Sequence, residues 1–373
     1  FPSMRRGGRM LYGINVRDRT NPVFKWRAGC PNLDNDIGCT ADMADIGQTW
    51  STPSVAIIRG ITGAKRRVLV VGGGYDKCED ADVMAPSCAT TKGGFIYILD
   101  ADTGDLIRKF QTDRAVPSDV AMVDINNDGS PDYAYAADTG GSVYRIDFIN
   151  GPVTRLPRLE ADWTMRKVAT TDQTKGRKFL HAPALMYSQN KVYVALGSGD
   201  REHPMEVNYP FKDVVNRFYV YLDDLGAAAD ANVVALDSMS NHTTTDSCTT
   251  AALLPDSGKV GWFMDLNQNG TGEQVVTSAL IAGGMVTFSS NRPVSAPAAS
   301  CATTLGEARG YWVNLLNASG AIGVDGACGG KRSSVFVGGG LPPSPVFANS
   351  VGIGTKGETV SVVLGAVQKS GVG

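Results

Sequence analysis

Residues 93–110, GGFIYILDADTGDLIRKF, decide the fold class. After two glycines, the side chains alternate along an apolar run, pass an Asp-Thr-Gly corner at 102–104 and enter a second run. Alternation with a period of two sets one face of a strand on a core. Asp and Gly at the corner supply turn chemistry. The stretch therefore predicts two strands joined by a tight turn. Looser copies are RMLYGINVRDRTNPVFKW at 9, GGSVYRIDFINGPVTRL at 140 and RGYWVNLLNASGAIG at 309, with NRFYVYLDDL at 216 and GETVSVVLGAV near the end as further candidates. A second half-unit opens with Pro, Ser or Ala before an apolar run: TPSVAII at 52, PSDVAMV at 117, HAPALMY at 181, TSALIAG at 277 and PPSPVFA at 342. Most of these starts lie about 65 residues apart, with one wider gap after 181. Four strands recurring at a fixed period are the pattern of propeller blades. The expectation is an all-β, modified β-propeller of six to seven blades, filling residues 1–373 as one domain.

Long inter-strand loops are expected at 28–47, 76–92, 200–214 and 226–257, with helix only in short pieces near 213–216 or 225–231. The 44 glycines and 18 prolines are spread along the chain, as many short strands joined by turns require. Thirty-five basic against 37 acidic side chains, with no long basic run, argue against nucleic-acid binding through phosphate neutralisation. No apolar stretch of about 18 residues is present to span a membrane as a helix. The start, FPSMRR, lacks the layout of a signal peptide, so a mature chain or an excised part of a longer exported protein is expected. Six of the seven cysteines fall into short-range pairs, Cys30 with Cys39, Cys78 with Cys88, and Cys301 with Cys328, leaving Cys248 over. None has CxxC spacing, so disulfides in an oxidising compartment are the better account.

The segment VDINNDGSPDYAYA reads D-x-N-x-D-G-x-x-D from 124 to 132. Calcium takes roughly six to eight oxygens, which side chains at alternate positions of a tight loop can supply. Asp124, Asn126, Asp128 and Asp132 would give side-chain oxygens and Ser130 its backbone carbonyl, with Gly129 permitting the sharp turn. The spacing is like that of an EF-hand. However, Tyr135 stands where the bidentate carboxylate would be, and both flanks read as strands. A metal-free Asp/Asn/Gly hairpin turn is the bland alternative. Asp265, Asn267, Asn269 and Glu273 repeat the spacing with only two carboxylates, which makes them a weaker second candidate. Asp34, Asp36, Asp42 and Asp45 read as solvated loop charge.

For an enzyme the sequence offers little. His181, His203 and His242 are far apart, and no G-x-S-x-G, H-E-x-x-H or P-loop pattern occurs. The triple glycines at 72–74 and 338–340 end apolar strands without a following helix and read as turn glycines. The run ILDADTGDLIRKF also resembles repeats of quinone-dependent dehydrogenases. The adjacent cysteine pair and cofactor-binding residues of those enzymes are missing, so that likeness speaks for the fold alone.

GQTWSTPSVA at 47, VVGGGYD at 70, GGFIYILDADTG at 93, DVAMVDINNDGSPDYAYAADTGGSVYRID at 119 and VYVALGSGDREHP at 192 resemble, in content and order, the C-terminal propeller of the PilY/PilC family. Members are type IV pilus biogenesis factors and tip-associated adhesins of Gram-negative bacteria. The resemblance implies seven blades and export with the pilus machinery to the pilus tip, outer membrane surface or periplasm. It also implies a calcium site at Asp124, Asn126, Asp128, Ser130 and Asp132 whose occupancy modulates pilus extension against retraction. Pilins or minor pilins, and a host cell surface, are the implied partners. No RGD tripeptide is present, and the family's N-terminal portion, related to von Willebrand A domains, is not in this sequence. Two other readings are a periplasmic quinoprotein-type oxidoreductase and an integrin- or lectin-like binding propeller with structural calcium.

Overall fold

The computed structural model describes residues 1–4, 8–60, 63–84, 91–206, 208–228, 233–244, 248, 251–295, 305–326, 328–336, 339–353 and 358–364. Two compact units are present. One is Phe1–Pro183 with Gln189–Val192 and Asp224–Val234, and the other is Ala184–Ser188 with Tyr193–Asp223 and Ala235–Gly373.

In the first unit, β1 (Arg9–Asn15) and β2 (Val23–Cys30) form an antiparallel hairpin. Next come β3 (Ser54–Arg59), β4 (Lys65–Gly72), β5 (Phe95–Asp100) and β6 (Leu106–Gln111), a four-stranded antiparallel sheet in chain order. The pattern repeats in β7 (Ala121–Val123), β8 (Tyr133–Ala137), β9 (Ser142–Asp147) and β10 (Thr164–Thr170), four strands again paired in sequence, with the two-residue Val234–Ala235 added on β10 as a fifth. Sequential four-stranded sheets of this kind are propeller blades. The corner expected at 102–104 is where β5 turns into β6, with Gly104 N–H donating to the Asp100 carbonyl.

The other unit is built largely from β11 (Ala184–Ser188), β12 (Lys191–Gly197), β13 (Arg217–Asp224) and, after the two-residue β14 (Val234–Ala235), β15 (Ser240–Asn241) and β16 (Gly261–Asp265). Their order in the sheet is β11-β12-β13-β16-β15. A further sheet runs β17 (Gln274–Val275), β19 (Met285–Arg292), β20 (Glu307–Asn314), β21 (Ser333–Val335), with β18 (Leu280–Ala282) also on β19. A last hairpin joins β22 (Val346–Ile353) to β23 (Glu358–Leu364). The first run of each repeat half read from the sequence falls on a strand; the second run expected directly after the corner does not form in the copies at 140 and 309, where the next strands begin only at Thr164 and Ser333. One-turn 3-10 helices occur at Lys77–Asp80, Glu160–Asp162, Gln173–Lys175 and Leu236–Ser238. The helical piece expected near 213–216 does not form: a single turn precedes it, closed by Val214 N–H on the Pro210 carbonyl, and β13 begins at Arg217. The piece expected at 225–231 is a turn at 225–226 followed by irregular chain to residue 228, and its remainder lies outside the described residues.

The inner strands of the first unit bury both faces. Val68 and Val70 of β4 and Ile96 and Ile98 of β5 pack against Ala134, Ala136, Tyr144 and Ile146 of β8 and β9. On the opposite face, Val71, Tyr97 and Leu99 pack against Leu11, Trp26 and Ala28 of the β1–β2 hairpin. Side chains at 96–99 are fully buried, which explains a near-continuous apolar run where one-sided burial would show strict alternation. The glycines at 72–74 serve close approach. A Cβ on Gly73 would stand 2.6 Å from the Phe95 carbonyl oxygen, and Gly74 holds φ at +103°. Beyond them Tyr75 exchanges backbone hydrogen bonds with Gln48, 2.8 Å each, and stacks on Trp50 at 4.0 Å. In the second unit, Phe218, Phe288 and Tyr311 form a continuous stack, with ring centroids 3.8 and 4.6 Å apart.

Cys30 is joined to Cys39. Cys78 is disulfide-bonded, while Cys88, the partner suggested by spacing, lies outside the described residues. One expectation is corrected. Cys328 pairs with Cys248 rather than with Cys301, which also lies outside the described residues. Short spacing favours near neighbours through loop-closure entropy. Here the chain instead brings residues 243 and 332 together, with Arg332 Nη1 donating to the Thr243 carbonyl at 2.7 Å.

A buried ionic cluster ties distant parts of the first unit. Glu79, 2% exposed, accepts from Arg114 Nη2 at 2.7 Å and from Thr139 Oγ1 at 2.9 Å, and Lys178 Nζ lies 2.9 Å from its other oxygen. Removing one partner strands a buried charge and costs about 3–5 kcal/mol. Glu79→Ala should therefore lower the thermal unfolding midpoint markedly, and adding Lys178→Met should recover part of the loss. An unchanged midpoint in the single variant would show that the cluster contributes nothing.

Candidate calcium site

The 124–132 loop is the connection between adjacent strands of one blade. Register pairs Val123 with Tyr133, and Asp132 N–H donates to the Val123 carbonyl at 2.9 Å, so both ends are anchored. Within the loop the polar side chains fold back on the backbone. Asp124 accepts from Asn126 N–H at 3.2 Å and Gly129 N–H at 2.7 Å, Asn126 from Asp128 N–H at 2.9 Å, and Asp128 from Ser130 N–H at 2.9 Å. Asp132 reaches back to Ile125 N–H at 2.8 Å. Asn127 (φ +57°) and Gly129 (φ +83°) take the left-handed conformations that turn the chain. Residues 124, 126 and 128 therefore present oxygens at alternate positions around one tight loop.

Sequence reasoning missed Arg59, at the end of β3. Its Nη1 lies 3.1 Å from Asp128 Oδ2, and its backbone N–H donates to Ser130 Oγ at 2.9 Å. Nothing local could reveal a partner 71 positions away. With the Ser130 hydroxyl so engaged, the carbonyl is what that residue can offer a cation.

The donor set fits calcium in kind, since every candidate atom is oxygen and three belong to carboxylates. Its electrostatics fit as well. Burial pushes Asp132, only 3% exposed, up to about 6, and the neighbouring charges of Asp124 and Asp128 add to the rise. A positive ion would relieve that repulsion. Among the described residues, Cys30, Asp36 and Cys39 are the acidic or sulfur groups whose ligand atoms all approach within 4.8 Å of one another, and both cysteines are spent in a disulfide. Asp124, Asp128 and Asp132 do not all come within that distance of one another; their oxygens are engaged by loop N–H groups and, for Asp128, by Arg59.

The other candidates are engaged differently. Asp265 pairs with Arg217 Nε at 2.5 Å. Asn267 accepts from Gln268, while Asn269 donates to Glu273 at 3.0 Å and to the Tyr311 hydroxyl. Glu273 is buried and accepts from Ser290 Oγ and Tyr311 OH, both at 2.6 Å. These side chains point to different partners. Asp34, Asp36 and Asp45 form ion pairs with Lys77, Lys92 and Lys109, respectively. His203 sits 2.9 Å from Asp200, and His242 stacks on Trp262, with burial holding it below the usual imidazole range.

Residues 1–173 match the family model described as the PilY1 beta-propeller domain. The chain is 30% identical over 158 residues to the type IV pilus biogenesis factor PilY1 of Pseudomonas aeruginosa strain PAO1, covering 41% of this chain and 11% of the relative. For PilY1 of strain UCBPP-PA14 the identity is 28% over 148 residues, covering 38% and 10%. The matches thus span about a tenth of the length of these relatives. The crystal structure of the Pseudomonas aeruginosa PilY1 C-terminal domain aligns with a TM-score of 0.66 at 20% identity, covering 98% of this chain and 78% of that one. The class is therefore an all-β propeller with disulfides. Within that class, residues 1–173 match the PilY1 propeller model, and they contain the whole 124–132 loop.

An Asp whose folded-state value lies above its unfolded one opposes folding when ionised. Through Asp132, the calcium-free protein should gain stability as pH falls from about 6 toward the ordinary Asp value of 3.8. Carboxyl carbon NMR should place the Asp132 midpoint near pH 6, and Asp124→Asn should lower it. A midpoint near 4 would contradict the crowding described here.

Proposed function

We propose that this propeller is a non-enzymatic, calcium-dependent regulator of type IV pilus extension and retraction and of pilus-associated adhesion. The observation that carries the reading is the oxygen-only 124–132 loop, with its buried and crowded Asp132, in a chain whose relatives are named type IV pilus biogenesis factors. The side chains of Asp124, Asn126, Asp128 and Asp132 and the Ser130 carbonyl would hold the ion. Bound calcium supplies the positive charge that the three carboxylates lack.

Arg59 gives the loop a route to the neighbouring blade. It links Asp128 and Ser130 to the end of β3, so the charge state of the loop bears on how two sheets of the first unit are held. Repulsion among Asp124, Asp128 and Asp132 loosens the β7–β8 edge, and neutralisation tightens it. Pilins, minor pilins or a host surface meeting that edge would sense the difference. Disulfides suit an exported protein at the pilus tip, outer membrane surface or periplasm.

Calorimetric titration should show calcium binding in the range of about 10⁻⁶ to 10⁻³ M. Asp132→Ala or Asp124→Ala should weaken it by at least about tenfold, a loss of about 1.4 kcal/mol. Wild-type affinity in either variant rejects the site. Arg59→Ala removes a nearby positive charge and should tighten binding several-fold. In a strain bearing Asp132→Ala, surface pili should change in number; an unchanged count rejects the regulatory role.

A further inference from the structure

A cavity of about 470 Å³ opens in the second unit, where the end of β16, β20 and β21 meet residues 243–244. Its volume lies in the range typical of small-molecule sites. Arg309, Lys331 and Arg332 bring three cations to its wall, against the single carboxylate of Asp265. Arg217 is shared by that carboxylate and by Asp237 at 2.9 Å, so Asp265 keeps part of its negative charge, and Glu307 offsets Arg309; Lys331 and Arg332 still leave the wall net positive. Arg309 gives Nε to Glu307 at 2.7 Å and Nη1 to Ser333 Oγ at 3.3 Å, and Nη2 makes no hydrogen bond among the described residues. Lys331 is exposed and forms no ion pair among them.

Between the cations the lining is rich in hydroxyls and amides, from Thr243, Thr244, Gln268, Asn269 and Ser333. Tyr311, the lining aromatic, is 5% exposed and offers no open face for stacking a base. The two outer walls are fastened covalently. Cys328 lies three residues before Lys331 and is joined to Cys248, just past Thr244, while Arg332 bonds the Thr243 carbonyl. Such fastening lowers the ordering cost of binding.

We propose that this cavity binds a sugar carrying a carboxylate. The carboxylate meets Arg309 and Lys331, since a guanidinium fork matches a planar two-oxygen anion. The sugar hydroxyls take the threonine, serine and amide groups. Uronic-acid polysaccharides and animal-cell glycans ending in a nonulosonic acid share this chemistry.

Calorimetry with digalacturonate, sialyllactose, neutral lactose and an N-acetylated glutamate amide tests the assignment on the full chain. At least one acidic sugar should bind about tenfold more tightly than lactose, a difference of about 1.4 kcal/mol. Preference for digalacturonate points to the first source and preference for sialyllactose to the second. Lys331→Glu, at an exposed position, should weaken that binding by about tenfold with an unchanged unfolding midpoint, and Arg309→Gln should weaken it as well. The proposal is overturned if neither acidic sugar outbinds lactose, if the glutamate amide binds as tightly as the sugars, or if Lys331→Glu leaves the affinity unchanged.

Discussion

Burial of both faces of the inner strands is the constraint on which the first unit depends. A strand such as β5 cannot leave either side to water, because Ile96 and Ile98 serve one core while Tyr97 and Leu99 serve the other. It needs a sheet on each side, and successive blades supply them. The backbone then has little room at the strand ends. Glycines at 72–74 let β4 finish against residues 93–95 and 116, where any side chain would collide with carbonyl oxygens. Corners carrying Asp, Thr and Gly complete the arrangement, because the chain must reverse within a few residues to stay in the same blade.

What was legible in the sequence is what the chain decides locally. Strand runs, the Asp-Thr-Gly corner and the nine-residue turn rich in Asp and Asn each lie within one hairpin, so spacing alone reveals them. Contacts made by topology were hidden. Cys248 and Cys328 are 80 residues apart, and Arg59 meets Ser130 across 71. The second acidic loop shows the same limit from the other side. Its spacing imitates a ligand set, yet Arg217, Ser290 and Tyr311 arrive from other strands and occupy Asp265 and Glu273. Spacing states what a loop offers, and the fold determines what comes to meet it.

The two units also differ in what supports them. The family match ends at residue 173, close to the end of the first unit's main segment at Pro183. The second unit is related to the solved propeller through fold, at low identity. There the Phe218–Phe288–Tyr311 stack packs the sheets together. The 124–132 hairpin lies in the matched part and the basic cavity outside it.

The Glu79 cluster has a consequence for how this protein can change over time. Its carboxylate is shared by Arg114 and Lys178, so either cation can be lost while the other still answers it. A lineage that loses Glu79 first instead passes through a form in which two neighbouring cations have lost their common anion. Arg114 or Lys178 should therefore be exchanged before Glu79, and Glu79 should persist as long as either cation remains.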